Sequence, residues 1–180
     1  LTDECGNVIS QVDHEFVFYQ VKPYDVLINE IMADPEPAIH LPEFEYIEIF
    51  NTTNYEIDLS NWILEVGNNT QVIDQVKIAA GEYLILCDDD AQADLQIFGN
   101  VYSFASFPSI PNTGQTIVLR NKLDEIISCV RYSNTWYQSE LKADGGWSLE
   151  QIDPQNPCGG ENNWIASVDE LGGTPGQENS

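Results

Sequence analysis

The chain has 180 residues with thirty Asp and Glu against six Lys and Arg, a formal net charge of -24, and is long enough for one large domain or one domain plus a fragment. A nucleic-acid surface neutralises phosphates with clustered Lys and Arg, so six dispersed basic residues exclude DNA and RNA as partners, and an anionic membrane surface with them. The 42% hydrophobic content, rich in Ile, Val, Leu, Tyr and Phe, favours strands over disorder, and no window approaches the 18 apolar residues of a spanning helix.

The opening LTDECGNV has neither a basic n-region nor an apolar h-region, so no signal peptide is read there. It reads as a cut within a longer protein, which leaves an exported location open. DECGN (3–7) reads as a turn, and 8–9 and 16–19 as short strands of a hairpin too small to stand alone. The D-x-x-G-N turn (Asp3, Gly6, Asn7) followed by Phe16-Val17-Phe18 resembles the closing strands of bacterial Ig-like domains. Residues 1–22 are therefore assigned to a remnant of an upstream Ig-like domain or a linker hairpin, and 23–180 to the main domain.

Strand-like runs at 26–33 and 44–50 flank a loop, 34–43, that contains Pro35, Pro37 and Pro42 and so carries no ladder. In the second run Ile47 and Ile49 point one way and Glu48 the other, the period of a strand with one buried face, although Glu45 falls on the isoleucine side. Further strands are expected at 62–66, 72–78, 83–87, 101–104, 116–120, 126–132 and 147–152. Turn-formers separate them: Gly67-Asn68-Asn69, Ala80-Gly81-Glu82, Pro111-Asn112-Thr113-Gly114 and Gly145-Gly146. Residues 90–98 have room for one or two helical turns. Short strands between turns, with no helical period, predict an all-β sandwich of about eight to nine strands.

Trp62 and Trp164 are expected in the core, and Gly114 at a positive-φ turn. The GGTPG stretch (172–176) is expected to pin the chain across the sandwich's open end, beside Trp164. Cys5, Cys87, Cys129 and Cys158 form no CxxC, which argues against zinc or redox chemistry. Outside the cell three pairings would be open to them. Otherwise Cys87 and Cys129, inside apolar strands, are small buried hydrophobes.

The chemistry-bearing residues are few. His14 and His40 have no nucleophile near them in sequence, no GxSxG elbow is present, and Gly145-Gly146-Trp147-Ser148 lacks the lysine of a phosphate loop. No catalytic, cofactor-binding or metal residue is assigned. Oxygen side chains at Asp88, Asp90, Gln92 and Asp94 have the alternate spacing of a calcium loop, but Ala93 and Gly99 stand where that loop needs Gly and Glu. Asp34, Glu36, Glu43 and Glu45 form a second acidic group around the proline loop. Tyr132, Trp136 and Tyr137 cluster as a candidate carbohydrate or protein contact surface.

Residues 25–180 carry a family resemblance. INEIMADP (28–35), EFEYIEIFN (43–51), IDLSNWIL (57–64), AAGEYLILC (79–87), FPSIPNTGQTIVLRN (107–121), GWSLEQIDP (146–154) and NNWIAS followed by GGTPGQENS (162–180) resemble, in order, a lamin tail domain of the bacterial, secreted kind. The resemblance implies an Ig-like β-sandwich. It also implies a non-catalytic structural or binding module of an exported or cell-surface protein, with protein or carbohydrate contacts. A nuclear-filament role is excluded by the lack of a heptad coiled coil and of a basic surface. Two alternatives stand beside it: a calcium-dependent adhesion module using the acidic excess, and a hydrolase built from its own loops around His40.

Overall fold

Runs of Ile, Val, Leu and aromatic residues broken by Gly, Asn, Asp and Pro build strands and turns, because branched side chains suit a pleated surface and the breakers supply turn geometries. The computed structural model describes Cys5 and residues 19–180. The expected first hairpin and His14 lie outside the described residues. Among those described are twelve strands: β1 (Val26–Met32), β2 (Tyr46–Asn51), β3 (Ile57–Asp58), β4 (Trp62–Val66), β5 (Asn69–Ile73) and β6 (Lys77–Ile78), then β7 (Tyr83–Asp88), β8 (Val101–Phe104), β9 (Gly114–Arg120), β10 (Ile126–Ser133), β11 (Leu149–Gln151) and β12 (Trp164–Ala166). The one α-helix, α1 (Gln92–Leu95), follows a 3-10 turn at Asp89–Ala91, within the span where one or two helical turns were expected.

The strands form a six-stranded sheet of order β12-β11-β1-β2-β7-β8, a four-stranded sheet of order β10-β9-β4-β5, and a two-stranded β3-β6 pair. Pairing is antiparallel except for β7 with β8, which run parallel and are joined across α1. The two larger sheets face each other over a core that includes Ile28, Ile31, Ile47, Ile49, Trp62, Leu64, Leu84, Ile117, Leu119, Tyr132 and Trp164. This is the all-β sandwich that the patterning predicts, with the Ig-like architecture that the resemblance implies. Trp62 and Trp164 are buried in it as expected.

Bulges set the join between the sheets. β1 shifts register between Ile28 and Glu30, and β10 between Ile126 and Ser128. At these two irregular points the Ser128 hydroxyl accepts the Ile28 amide at 3.0 Å, so the strands of opposite sheets are tied directly. Gly114 has φ +126, and a Cβ there would come within 2.5 Å of the Tyr132 carbonyl oxygen, so the residue serves a close approach of β9 to β10 as well as the expected turn.

Several expectations change. The run 72–78 is two strands, because the chain breaks at Asp74-Gln75, where Gln75 takes φ +43 and Asp74 N–H donates to the Tyr102 hydroxyl at 2.8 Å. β3 and β12, of two and three residues, are too short for a periodicity to register. Cys87 is buried, and burial pushes its thiol up to about 12, but Cys129 lies exposed on the outer face of the four-stranded sheet rather than in the core. Segment 172–180 crosses the outer face of the six-stranded sheet instead of the sandwich's end, through contacts to Glu30, Glu48 and Glu150.

Candidate functional site

A groove of about 680 Å³ opens at one end of the sandwich. Residues 19–21 form one wall, 55–58 and Trp62 the floor, and the turn 121–125 the other wall. The Tyr19 and Tyr55 rings stack with centroids 4.5 Å apart and planes at 23°, an arrangement that offers an exposed aromatic face. Tyr19 is held in place by its hydroxyl, which donates to Asp25 at 2.8 Å.

Each wall is shaped by local hydrogen bonds. Asn51, at the end of β2, is fully buried, and its amide donates to the carbonyls of Tyr55 (2.8 Å), Ala79 (2.9 Å) and Ile78 (3.2 Å). Its side-chain oxygen accepts from Thr53 N–H and hydroxyl, which bends residues 52–55 so that Tyr55 meets Tyr19. Opposite, the Asn121 oxygen accepts the amides of Leu123 (2.9 Å) and Glu125 (3.0 Å), a compact turn with Asp124 at φ +65 that leaves Leu123 exposed at the mouth. The rim is polar: Glu56 pairs with Lys77 at 2.6 Å, and Asp58 is held below the usual carboxylate range by hydrogen bonds from Ser60. Lys122 and Glu125 complete it.

The residues singled out in the sequence are placed otherwise. Tyr132 and Tyr137 are buried and Trp136 packs partly buried on the core beside Trp164, 6.1 Å between centroids. They form no exposed contact surface, because the hydrophobic drive that clusters them also covers them. His40 is exposed in the 34–43 loop. Asp88 accepts from Asp90 N–H (3.1 Å) and Phe107 N–H (3.0 Å), and these bonds hold its carboxyl below its ordinary range. The Gln92 side-chain oxygen accepts from Ser103. The Asp88 and Gln92 oxygens are thus spent on a helix cap and a strand contact, and among the described residues no group of three His, Cys, Asp or Glu side chains is placed to hold a metal ion.

The two acidic groups do meet at one point. Glu43, Glu45 and Asp88 line a cleft of about 240 Å³ with Pro35, Phe44, Phe107 and Ser109. Both Glu45 oxygens accept the Ile110 amide at 3.2 Å, and burial raises its carboxyl above the ordinary value.

A third acidic group escapes sequence reasoning. Glu30 pairs in register with Glu48 on β2 and with Glu150 on β11, so three carboxyls lie in one row across three strands. All three are buried, at 0%, 0% and 1% exposure. The expectation of one buried face for β2 fails here, since Glu48 lies on the face opposite Ile47 and Ile49 yet is covered. Glu30 Oε1 accepts from Ser148 Oγ (2.6 Å), Tyr46 Oη (2.8 Å) and Thr174 N–H (2.9 Å), while Oε2 has no partner. Burial raises Glu30 to about 7 against these hydrogen bonds, and burial with the neighbouring Glu30 carboxyl raises Glu48 well above the carboxylate range. The sequence signal was an acid next to an apolar residue in each of I-N-E-I, Y-I-E-I and S-L-E-Q.

Those three motifs are among the stretches on which the family resemblance rests. The sequence profile of the lamin tail domain matches residues 20–134. The chain belongs to the lamin tail domain family. The matched stretch holds β1 to β10, while β11, β12 and segment 172–180 lie beyond it yet complete the same six-stranded sheet and cover it. No curated protein matches the chain. A lamin tail domain of this Ig-like architecture is a binding or structural module, and its fold is typically non-enzymatic. No helix of the described residues is long and apolar enough to cross a membrane.

Proposed function

We propose that this lamin tail domain is a non-catalytic contact module of an exported or cell-surface bacterial protein, its sandwich spanning residues 23–180, and that the end groove it forms with residues 19–21 of the preceding segment takes a sugar ring of an uncharged glycan. The observation that carries the reading is the Tyr19–Tyr55 stack in the groove, rimmed by carboxylate, amide and ammonium groups. A flat aromatic face covers the C–H face of a pyranose, and hydroxyls around that ring take hydrogen bonds from a polar rim. Glu56, Asp58 and Glu125 outweigh Lys122 there, so an acidic sugar is repelled and a neutral one is not. The net charge of -24 keeps the surface soluble and self-repelling, as suits a module displayed outside a cell.

The experiment is a titration with neutral oligosaccharides, followed by backbone amide NMR shifts, on the natural chain and on Tyr55→Ala. Shifts confined to residues 19–21, 55–58 and 121–125, and lost in Tyr55→Ala, are expected. Shifts elsewhere, or none across the panel, overturn the assignment of the groove.

A further inference from the structure

Three carboxyls buried side by side demand compensation, because ionising each one removes a charge from water at a cost of several kcal/mol. Positive charge does not supply it: among the described residues the ion pairs are Lys77 with Glu56 and Arg120 with Glu65 and Asp124, none of which reaches the row. What covers the row is segment 173–180. Thr174 N–H donates to Glu30, Gly176 N–H to Glu48, Thr174 hydroxyl to Glu150 at 2.8 Å, and Ser180 N–H and hydroxyl to Glu150, each at 2.8 Å. Asn179 bridges the Asn29 and Gln151 carbonyls at 3.1 and 2.8 Å, so the segment is stitched to β1 and β11 alike.

The cover is fitted by polar contacts and glycines. A Cβ at Gly173 would stand 2.6 Å from Glu30 Oε1 and 2.8 Å from Tyr46 Oη, and one at Gly176, which has φ +81, would meet the Phe98 carbonyl at 2.2 Å. The segment therefore sits directly on the carboxyls. Its attachment rests on the charge state of groups it buries. One oxygen, Glu30 Oε2, has no hydrogen-bond partner, so a negative charge on this carboxyl is left partly unsolvated while the clasp is docked.

We propose that segment 173–180 is a proton-dependent clasp: it lies docked while the Glu30–Glu48–Glu150 row holds a proton, and loss of that proton releases it from the sheet. Charge repulsion drives the release. The groups facing Glu30 are Tyr46 and Glu48 from β2, Ser148 and Glu150 from β11 and the residue before it, and Thr174 from the clasp. Glu178 of the clasp adds a further acid along that face, beside the phenol of Tyr83 of β7, which stays neutral in this range. A second negative charge in the row thus finds acids around it and no cation, and undocking the clasp admits water to solvate it.

Native-state hydrogen exchange of the 180-residue chain from pH 5 to 8 tests this, with rates corrected for intrinsic exchange. Protection of the Thr174, Gly176 and Ser180 amides is expected to fall by up to about tenfold per pH unit between pH 5 and 7, the limit for release of one proton, and to level off above, while Ile117 and Leu119 in β9 keep theirs. In Glu30→Gln, which has no proton to lose at that position, the clasp amides stay protected across the range. Because that variant risks misfolding, the Glu side-chain carboxyl carbons of the natural chain are titrated in parallel by ¹³C NMR. A raised carboxyl midpoint at the pH where clasp protection stops falling supports the proposal. Flat protection, a loss shared equally by β9, a fall that persists in a folded Glu30→Gln, or carboxyls that all titrate near 4 overturns it.

Discussion

Replacing Glu30 by Gln changes how the stability of this domain depends on pH. Glu30 is fully buried, and burial raises its carboxyl from an ordinary 4.5 to about 7. Because the folded value lies above the unfolded one, the contribution to stability is complete below about pH 4.5, declines as pH rises, and is gone above about 7. The span of about 2.5 pH units at 1.36 kcal/mol per unit gives a loss of about 3 kcal/mol across that window. Exposed acids such as Asp58 and Asp88, held below their ordinary range, have the opposite sign and act around pH 4, below the window. Urea unfolding followed by tryptophan fluorescence at pH 5, 6, 7 and 8 measures the effect. All other titrating groups are common to both chains, so the difference between the natural chain and Glu30→Gln isolates Glu30 and its interaction with the rest of the row. The natural chain is expected to lose stability relative to the variant by about 2.5 kcal/mol between pH 5 and 7 and to change little from 7 to 8. A difference that stays constant with pH would refute the reasoning, since Glu30 would then ionise alike in both states.

Two further outcomes follow from the geometry. Asn51→Ala strands the carbonyls of Tyr55, Ile78 and Ala79 and frees the 52–55 turn, so thermal unfolding should show a loss of about 2–4 kcal/mol, with glycan-induced shifts at Tyr55 weakened in parallel. Millimolar Ca²⁺ should raise the melting temperature no more than Mg²⁺ does, because Asp88 and Gln92 are committed to a helix cap and to Ser103; a shift of several degrees specific to Ca²⁺ would contradict that assignment.

The fold was legible because its evidence is local. The Ile47 and Ile49 alternation, the turn at Gly114 and the burial of Trp62 and Trp164 each follow from a few adjacent residues. The places that misled share a cause. The pattern 72–78 is apolar enough for one strand, but Tyr102, far along the chain, takes the Asp74 amide where the strand breaks. Tyr132, Trp136 and Tyr137 cluster in sequence as a surface would, and tertiary packing turns two of them into core. The groove was not legible at all, because Tyr19, Tyr55 and the 121–125 turn meet only in space.

By itself the sequence determined an acidic, all-β chain with the motifs of a lamin tail domain and with turns at its glycines and asparagines, since strand period and turn chemistry act over two to five residues. Which acids are solvated and which are buried was decided by the tertiary structure. Glu48 alternates with Ile47 and Ile49 as a solvent-facing residue does, and it becomes a buried carboxyl because Gly176, 128 residues later, lays its amide across it. Burial is a property of what covers a surface, and the cover of this one comes from the far end of the chain.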